Sequence, residues 1–541
     1  MSKTDKKAAI RGLIRSKIKT REDLMSAKRK IAKKYGLDIL RNSDILKIVD
    51  EKISQGQDLD FFRNLLKKRA VRTMSGIAPV AVLTKPFPCP GKCVYCPTEK
   101  DVPQSYLSNE PAVMRAIRCN YDPYKQVSLR LEALLANGHN PNKIEIIVIG
   151  GTWSVLPEQY KYWYIKECFR AANDFGKKIQ NSKFKVKNYS LKLKAEKLKK
   201  ILQIEQKMNE TADYKIIGLT LETRPDYIDD KELIQMRELG ATRVELGVQA
   251  VDDDILKLNK RGHGVAEVAR ATKLLRDYGF KITYHIMPGL PGSTAKKDLR
   301  MFKQLFSDER FQPDQIKFYP TVVTKGSLLY KWWQKGKYKP YSDRVLENLI
   351  IDCKKIVPEY VRIIRLIRDI PAESIIAGNA ITNLRQIMQA RGVKCSCIRC
   401  REAKDKKLEV GSQKLEVIKY QAGGGIEYFI QAESKDKKTL YGFCRLRLKA
   451  HFNKGGKGDF FKVLTGAALV RELHVYGELV PVGRKKKTQH AGLGKVLMQE
   501  AEKIAKKNKY KKIAVISGVG VREYYKKLGY GLKEGYMVKE I

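Results

Sequence analysis

An α/β protein is predicted, with a partial (β/α)6 barrel followed by a smaller α+β unit, and three observations carry that expectation. Strand-length apolar runs stand at 79–84, 144–149, 216–221, 243–249, 282–287 and 315–319. Helix-length segments separate most of them, the rhythm of a parallel sheet covered by its crossover helices. After Pro371 that rhythm stops, and from about Lys414 other strands and a glycine-rich loop follow. A chain of 541 residues has room for more than one core. The expected divisions are a basic N-terminal region (1–70), the barrel (71–370), a cysteine-bearing linker (371–411) and the C-terminal unit (412–541), with the last boundary near Gly411.

Lys and Arg number 108 against 59 acidic residues, a formal charge of +49. Solubility does not require such an excess, whereas a polyanionic partner does, most simply a nucleic acid bound with release of counterions. Residues 1–35 hold thirteen Lys/Arg against three acids, with Ile10, Leu13, Ile14 and Ile18 on one helical side. That segment reads either as an RNA-backbone clamp or as a solvated tail face. The insertion 176–207, with eleven lysines opposed by Glu196 and Glu205, reads as an exposed helical arm. No stretch has the length of a transmembrane or signal segment, so no membrane association is expected. Ten cysteines, six of them in two clusters, point to metal binding in a reducing cytoplasm rather than to disulfides.

The loop after the first strand reads C-P-G-K-C-V-Y-C, placing Cys89, Cys93 and Cys96 at C-x3-C-x2-C. Three thiolates so spaced can hold three irons of a 4Fe–4S cube and leave the fourth open for chemistry. A structural zinc knuckle lacking one ligand is the alternative. The second strand ends in Gly150-Gly151-Thr152, where bare backbone lets a ligand come close. Glu222, Gln249 and His285 stand at the ends of the third, fourth and fifth strands. Polar residues at four successive strand ends favour a ligand-lined cavity over isolated caps, because α/β folds gather ligands there. The spacing resembles that of radical S-adenosylmethionine (SAM) enzymes. The resemblance implies SAM on the open iron, with Gly150, Gly151, Thr152, Glu222 and Gln249 as its expected contacts.

Near the C-terminus, Gln489-His490-Ala491-Gly492-Leu493-Gly494 opens a helix, so its backbone N–H groups can receive a pyrophosphate. With the preceding strand 471–475 and the following Tyr524-Tyr525-Lys-Lys-Leu-Gly529-Tyr530, this resembles the GCN5-related N-acetyltransferase fold. Acetyl-CoA is then expected against Glu472, Leu473, His474, Val475, Gln489, Ala491, Gly492, Leu493 and Gly494. Tyr525 is the implied catalytic tyrosine beside the thioester, with Tyr524 its close rival. Cys395, Cys397 and Cys400 offer three more thiolates within six residues, a zinc-type group whose fourth ligand is left open between His451 and His474.

A radical-SAM barrel joined to an acetyltransferase unit is similar to the catalytic third subunit of Elongator. The strings 72–78, Gln104-Ser-Tyr106, Met114-Arg-Ala-Ile117, Glu222-Thr-Arg-Pro-Asp226, 471–477 and 516–520 carry that similarity from about Val71 onward. The short cysteine spacing and the 395–400 stretch place the chain with the archaeal type, expected to act without the accessory Elongator subunits. The resemblance also implies a barrel lysine near CoA, for which Lys143 is the best match. It further implies a tRNA anticodon stem-loop as substrate, a one-electron donor, and carboxymethyl formation at C5 of the wobble uridine (U34) from acetyl-CoA. A homo-oligomer is compatible with this. A protein lysine acetyltransferase with a merely structural cluster is the rival reading.

Overall fold

The computed structural model describes residues 3–67, 76–180, 193–381, 383–403, 413–449, 461–476 and 492–541. In the barrel region the strands are β1 (Ala78–Leu83), β2 (Lys143–Ile149), β3 (Lys215–Thr223), β4 (Arg243–Gln249), β5 (Lys281–Ile286), β6 (Gln315–Phe318), the two-residue β7 (Val323–Thr324), β8 (Arg362–Arg365) and β9 (Ile375–Ala377). Seven of these form one sheet in the order β1-β2-β3-β4-β5-β6-β8, every neighbouring pair parallel. The six strands expected are present, with ends shifted by a residue or two. The seventh, β8, was not expected, because Arg-Ile-Ile-Arg is too short and too charged at its ends to announce a strand. β7 and β9 make a separate two-stranded ribbon.

The C-terminal unit holds β10 (Gln413–Ala422), β11 (Gly425–Ser434), β12 (Leu440–Lys449), β13 (Ala467–Val475), β14 (Lys512–Val515), β15 (Gly531–Lys533) and β16 (Tyr536–Glu540). They form a mixed sheet in the order β10-β11-β12-β13-β14-β16-β15, with β13 and β14 parallel and the other pairs antiparallel. Helix Leu493–Lys507 packs on it through Leu497, Met498, Ala501 and Ala505. The inferred boundary near Gly411 lies outside the described residues.

Four helices, Lys3–Arg15, Arg21–Lys34, Asn42–Ser54 and Asp60–Leu66, build a separate small core around Leu13, Leu24, Ile45, Val49 and Phe62. The apolar side read at Ile10, Leu13 and Ile18 faces that core. Thr20 and Asp23 cap the second helix reciprocally, satisfying amide donors that would otherwise be orphaned. The 176–207 segment corrects its reading as an exposed arm. Helix Glu158–Gln180 and helix Ala195–Asn209 pack together, burying Leu198, Leu202 and Asn209, and Asn173 bonds both Glu205 and Asn209. Lysine-rich composition concealed an apolar stripe at helical spacing. Residues 181–192 lie outside the described set.

The second sheet docks on the N-terminal ends of the barrel strands, opposite the end that carries the 89–96 loop. Close approach is enforced by two glycines: a Cβ on Gly520 would fall 2.6 Å from the Lys215 Cβ, and one on Gly518 would overlap the Ile217 carbonyl. Buried ion pairs fill the seam. Arg471, fully buried, donates to Asp314, Glu427 and the Phe280 carbonyl at 2.5–3.1 Å. Arg445 reaches the Tyr360 carbonyl at 2.6 Å and Glu472 at 3.0 Å, and Arg447 reaches Asp277 at 2.7 Å. Charges taken out of water require this degree of pairing. Against the cost of burial, Arg471, Arg445 and Arg276 hold the Asp314 carboxyl well below the usual carboxylate range.

Candidate active site

One cavity of about 1210 Å³ runs from the 89–96 loop, along the barrel interior, to the seam. Its lining includes Cys89, Cys93 and Cys96 at one end and Phe443, Arg445, Glu472, His474 and Tyr476 of the second sheet at the other. It therefore opens to both units. Glu222, Gln249, His285, Gly151 and Thr152 border it as well, so the strand-end residues read from the sequence converge.

Main-chain bonds fix the cysteine loop: Val94 N–H donates to the Asn259 carbonyl at 3.2 Å, and Leu329 N–H donates to the Val94 carbonyl at 2.8 Å. Cys93 is buried, while Cys89 and Cys96 are half-buried. Cys89 Sγ lies 3.8 Å from Thr152 Oγ1, and Arg261 Nη1 donates to Cys93 Sγ at 3.1 Å. The Cys96 thiol, with the charges of Arg261 and Arg224, brings the Cys93 thiol down to about 5 despite burial. Two of the thiols beside Gly91, with a buried Arg224 Nη1 that has no partner among the described residues, fit the polyanionic shell of a cluster. The two glycines of the second strand divide their work. A Cβ on Gly150 would collide with Thr84, so that glycine serves packing. Gly151 (φ 98°) has only the Gln104 carbonyl within 4 Å of a Cβ position, at 3.8 Å, and so offers backbone to a ligand.

Polar groups link up inside the barrel. Tyr106 donates its hydroxyl to Glu222 at 2.8 Å, His285 Nδ1 stands 3.7 Å from Glu222, and His285 Nε2 is 2.8 Å from Glu245. Lys317 pairs with the same Glu245. Burial pushes the Glu245 carboxyl up, but Lys317 and His285 outweigh it and hold the group well below its ordinary value. Gln249 adopts φ 72°, rare for a side-chain-bearing residue, and its Oε1 is buried with no partner among the described residues. Sequence reasoning missed Glu245, Arg261 and Lys317. Glu245 and Lys317 stand in mid-strand where charge is unexpected, which is itself a signal, while Arg261 carried none. Arg224 lay within a recognised string without a role.

At the other end, Gly492 (φ 96°) turns the chain into helix Leu493–Lys507. A Cβ on Gly494 would fall 2.5 Å from the Tyr524 hydroxyl and 3.7 Å from Val475 Cγ2, so the helix start, β13 and Tyr524 meet. Tyr524 is 39% exposed there, whereas Tyr525 is 5% exposed and packs against Tyr530. The geometry thus turns Tyr524, rather than Tyr525, to the helix start. Leu473 and Val475 sit half-buried on β13. Gln489 and Ala491 lie outside the described residues. Lys143 opens β2 on the surface and is not among the cavity-lining residues. Lys281 is among them, 3.5 Å from Glu472, a barrel lysine that lines the cavity at the seam.

The sulfurs of Cys395, Cys397 and Cys400 all lie within 4.8 Å of one another, the one such group of potential metal ligands among the described residues. His474 does not join them. It borders the cavity, its ring 4.4 Å from that of Tyr476 and its Nε2 without a partner among the described residues. His451 lies outside the described residues. Lys354 Nζ approaches Cys400 Sγ at 3.7 Å. No described helix is long and apolar enough to cross a membrane.

Comparison with known proteins follows the same division. Residues 88–305 match the Radical SAM superfamily, and residues 313–392 match the Radical_SAM C-terminal domain. A radical SAM domain implies a 4Fe–4S cluster and SAM. The chain is 45% identical to the tRNA uridine(34) acetyltransferase of Dehalococcoides mccartyi, covering 88% of this chain and all of the relative. It is 39% identical to Elongator complex protein 3 of Homo sapiens, over 96% of this chain and 93% of the relative. The solved archaeal Methanocaldococcus infernus Elp3 with an N-terminal deletion superposes with a TM-score of 0.71 at 39% identity, covering 87% of this chain and all of that one. The chain belongs to the family of tRNA uridine(34) acetyltransferases and Elongator complex protein 3.

Proposed function

We propose that the protein builds a carboxymethyl group on C5 of the wobble uridine of tRNA, drawing the two carbons from acetyl-CoA. The observation that carries this reading is the single cavity joining the cysteine loop to the seam. A lysine acetyltransferase would not need it, because an amine is nucleophilic enough to take an acetyl group directly. Uridine C5 is not. With cluster and SAM bound, the barrel supplies a 5′-deoxyadenosyl radical, able to take hydrogen from the acetyl methyl.

The chain's own residues have distinct tasks in this reading. Cys89, Cys93 and Cys96 hold the cluster, Gly151 and Gln249 present backbone and amide to SAM, and Tyr106 orients Glu222 for the same ligand. The loop before Gly492, the start of helix Leu493–Lys507 and β13 cradle acetyl-CoA in a GCN5-related fold, with Tyr524 at the thioester. Lys281 and Glu472 border its path into the barrel. Cys395, Cys397 and Cys400 hold a structural Zn²⁺. The basic N-terminal helices grip RNA phosphates, so binding should weaken steeply with salt. Cysteine usage fits a reducing cytoplasm, and a one-electron donor must serve the cluster.

Incubation of tRNA anaerobically with protein, reductant, SAM and acetyl-CoA, followed by nucleoside mass spectrometry, tests the proposal. Carboxymethylated uridine that vanishes when SAM is omitted is expected. Unmodified uridine beside SAM-independent acetylation of lysines overturns the reading.

A further inference from the structure

Two guanidinium groups press on the cysteine loop, and the tasks assigned above leave both unused. We infer that Arg261 and Arg224 set the reduction potential of the cluster held by Cys89, Cys93 and Cys96, by placing cationic hydrogen-bond donors against its sulfurs. The inference rests on the cluster reading and adds a role for two residues outside the ligand set.

Arg261 is buried. Its Nη1 donates to Cys93 Sγ at 3.1 Å while Nη2 is tied to the Gly247 carbonyl, so the fork cannot swing away. Among the described residues no carboxylate pairs with it, so its charge is left for the sulfurs. Arg224 approaches from the end of β3. Asp226 holds its Nε at 3.0 Å and its Nη2 at 2.8 Å, and Nη2 also donates to the Arg261 carbonyl at 2.6 Å. The remaining arm, Nη1, is buried and has no partner among the described residues. Its position is fixed by Gly91: a Cβ there would stand 2.5 Å from that nitrogen, 3.5 Å from Cys93 Sγ and 3.6 Å from Cys89 Sγ. The orphan donor thus lies against the turn that carries two ligand sulfurs, and only a glycine at 91 leaves it room.

Reduction adds a negative charge to a cluster already ringed by thiolates. A fixed cation and N–H···S bonds stabilise the reduced form more than the oxidised one and raise the potential. Burial strengthens the effect, since little water is present to screen it.

The test uses the full chain, reconstituted with iron and sulfide, and a redox titration followed by electron paramagnetic resonance. Arg261→Gln and Arg224→Gln should each keep iron and the optical spectrum of the wild type. Each should also lower the reduced-to-oxidised ratio at a given solution potential by about tenfold, equivalent to ~59 mV for one electron. Where a Gln variant loses iron, Arg261→Lys or Arg224→Lys replaces it. These keep the charge and lose the planar fork, and a smaller shift in the same direction is expected. Potentials equal to the wild type, or higher, in the variants at both positions overturn the inference. A wild-type protein that takes up no cluster fails earlier, at the iron assay, and refutes the cluster reading instead.

Discussion

Two cysteine triplets occupy the chain, and they differ in how their sulfurs are spread. Cys395, Cys397 and Cys400 converge to within 4.8 Å of one another. A single Zn²⁺ calls for sulfurs gathered in this way, since each stands ~2.3 Å from the same ion. In the other triplet Cys93 and Cys96 stand within hydrogen-bonding reach of each other, but Cys89 does not close the group. Cys89 stands off toward Thr152, and the loop wraps around Gly91 with Arg224 and Arg261 behind it. A cube takes one thiolate per corner, so its three ligands need not converge on a single ion. The surroundings differ as well. The first triplet sits at the C-terminal strand ends, open to a cavity. The second bridges the units, with Ile398 N–H on the Val361 carbonyl and Ala403 N–H on the Leu440 carbonyl. One loop is built to expose a reactive metal, the other to tie two sheets together.

The sharpest break in that comparison is chemical. Cys93→Ala should abolish iron uptake and SAM cleavage while leaving acetyl-CoA binding and any zinc in place. Cys397→Ala should do the reverse, losing one divalent ion and keeping the cluster. Metal analysis of both variants decides, and a variant that loses both metals would show that the two sites are not independent.

A smaller effect separates the seam from the barrel interior. Arg471→Ala leaves Asp314 and Glu427 buried with fewer counter-charges, which should cost about 3–5 kcal/mol. Denaturant unfolding followed by hydrogen exchange should show the loss first in β12 and β13, with β2 and β3 protected. Uniform loss across both sheets would mean that the seam does not act as a separate unit.

The smallest effect expected concerns the adjacent tyrosines. Tyr524→Phe should slow acetyl-CoA turnover several-fold at unchanged stability, because its hydroxyl lies at the helix start. Tyr525→Phe, inside the core, should leave turnover unchanged. Steady-state hydrolysis of acetyl-CoA in the presence of tRNA distinguishes them, and the opposite ranking would return the role to Tyr525.

Spacing and periodicity alone determined the parallel strands β1 to β6, the cysteine loop, the Gly150-Gly151 turn and the Cys395–Cys400 group, because each is written within a short segment. The strand β8 and the packed face of helix Ala195–Asn209 were hidden, since charge at exposed positions outweighs a few buried apolar residues in composition. Only the tertiary structure decided that Tyr524 faces the helix start while Tyr525 is core. Neighbouring side chains on a helix point 100° apart, and nothing local says which way the core lies. It alone brought Lys281 beside Glu472 at the seam, and set Arg261 against Cys93 across 168 residues of chain. Such contacts depend on how sheets dock and where strands end, and a linear pattern carries no record of either.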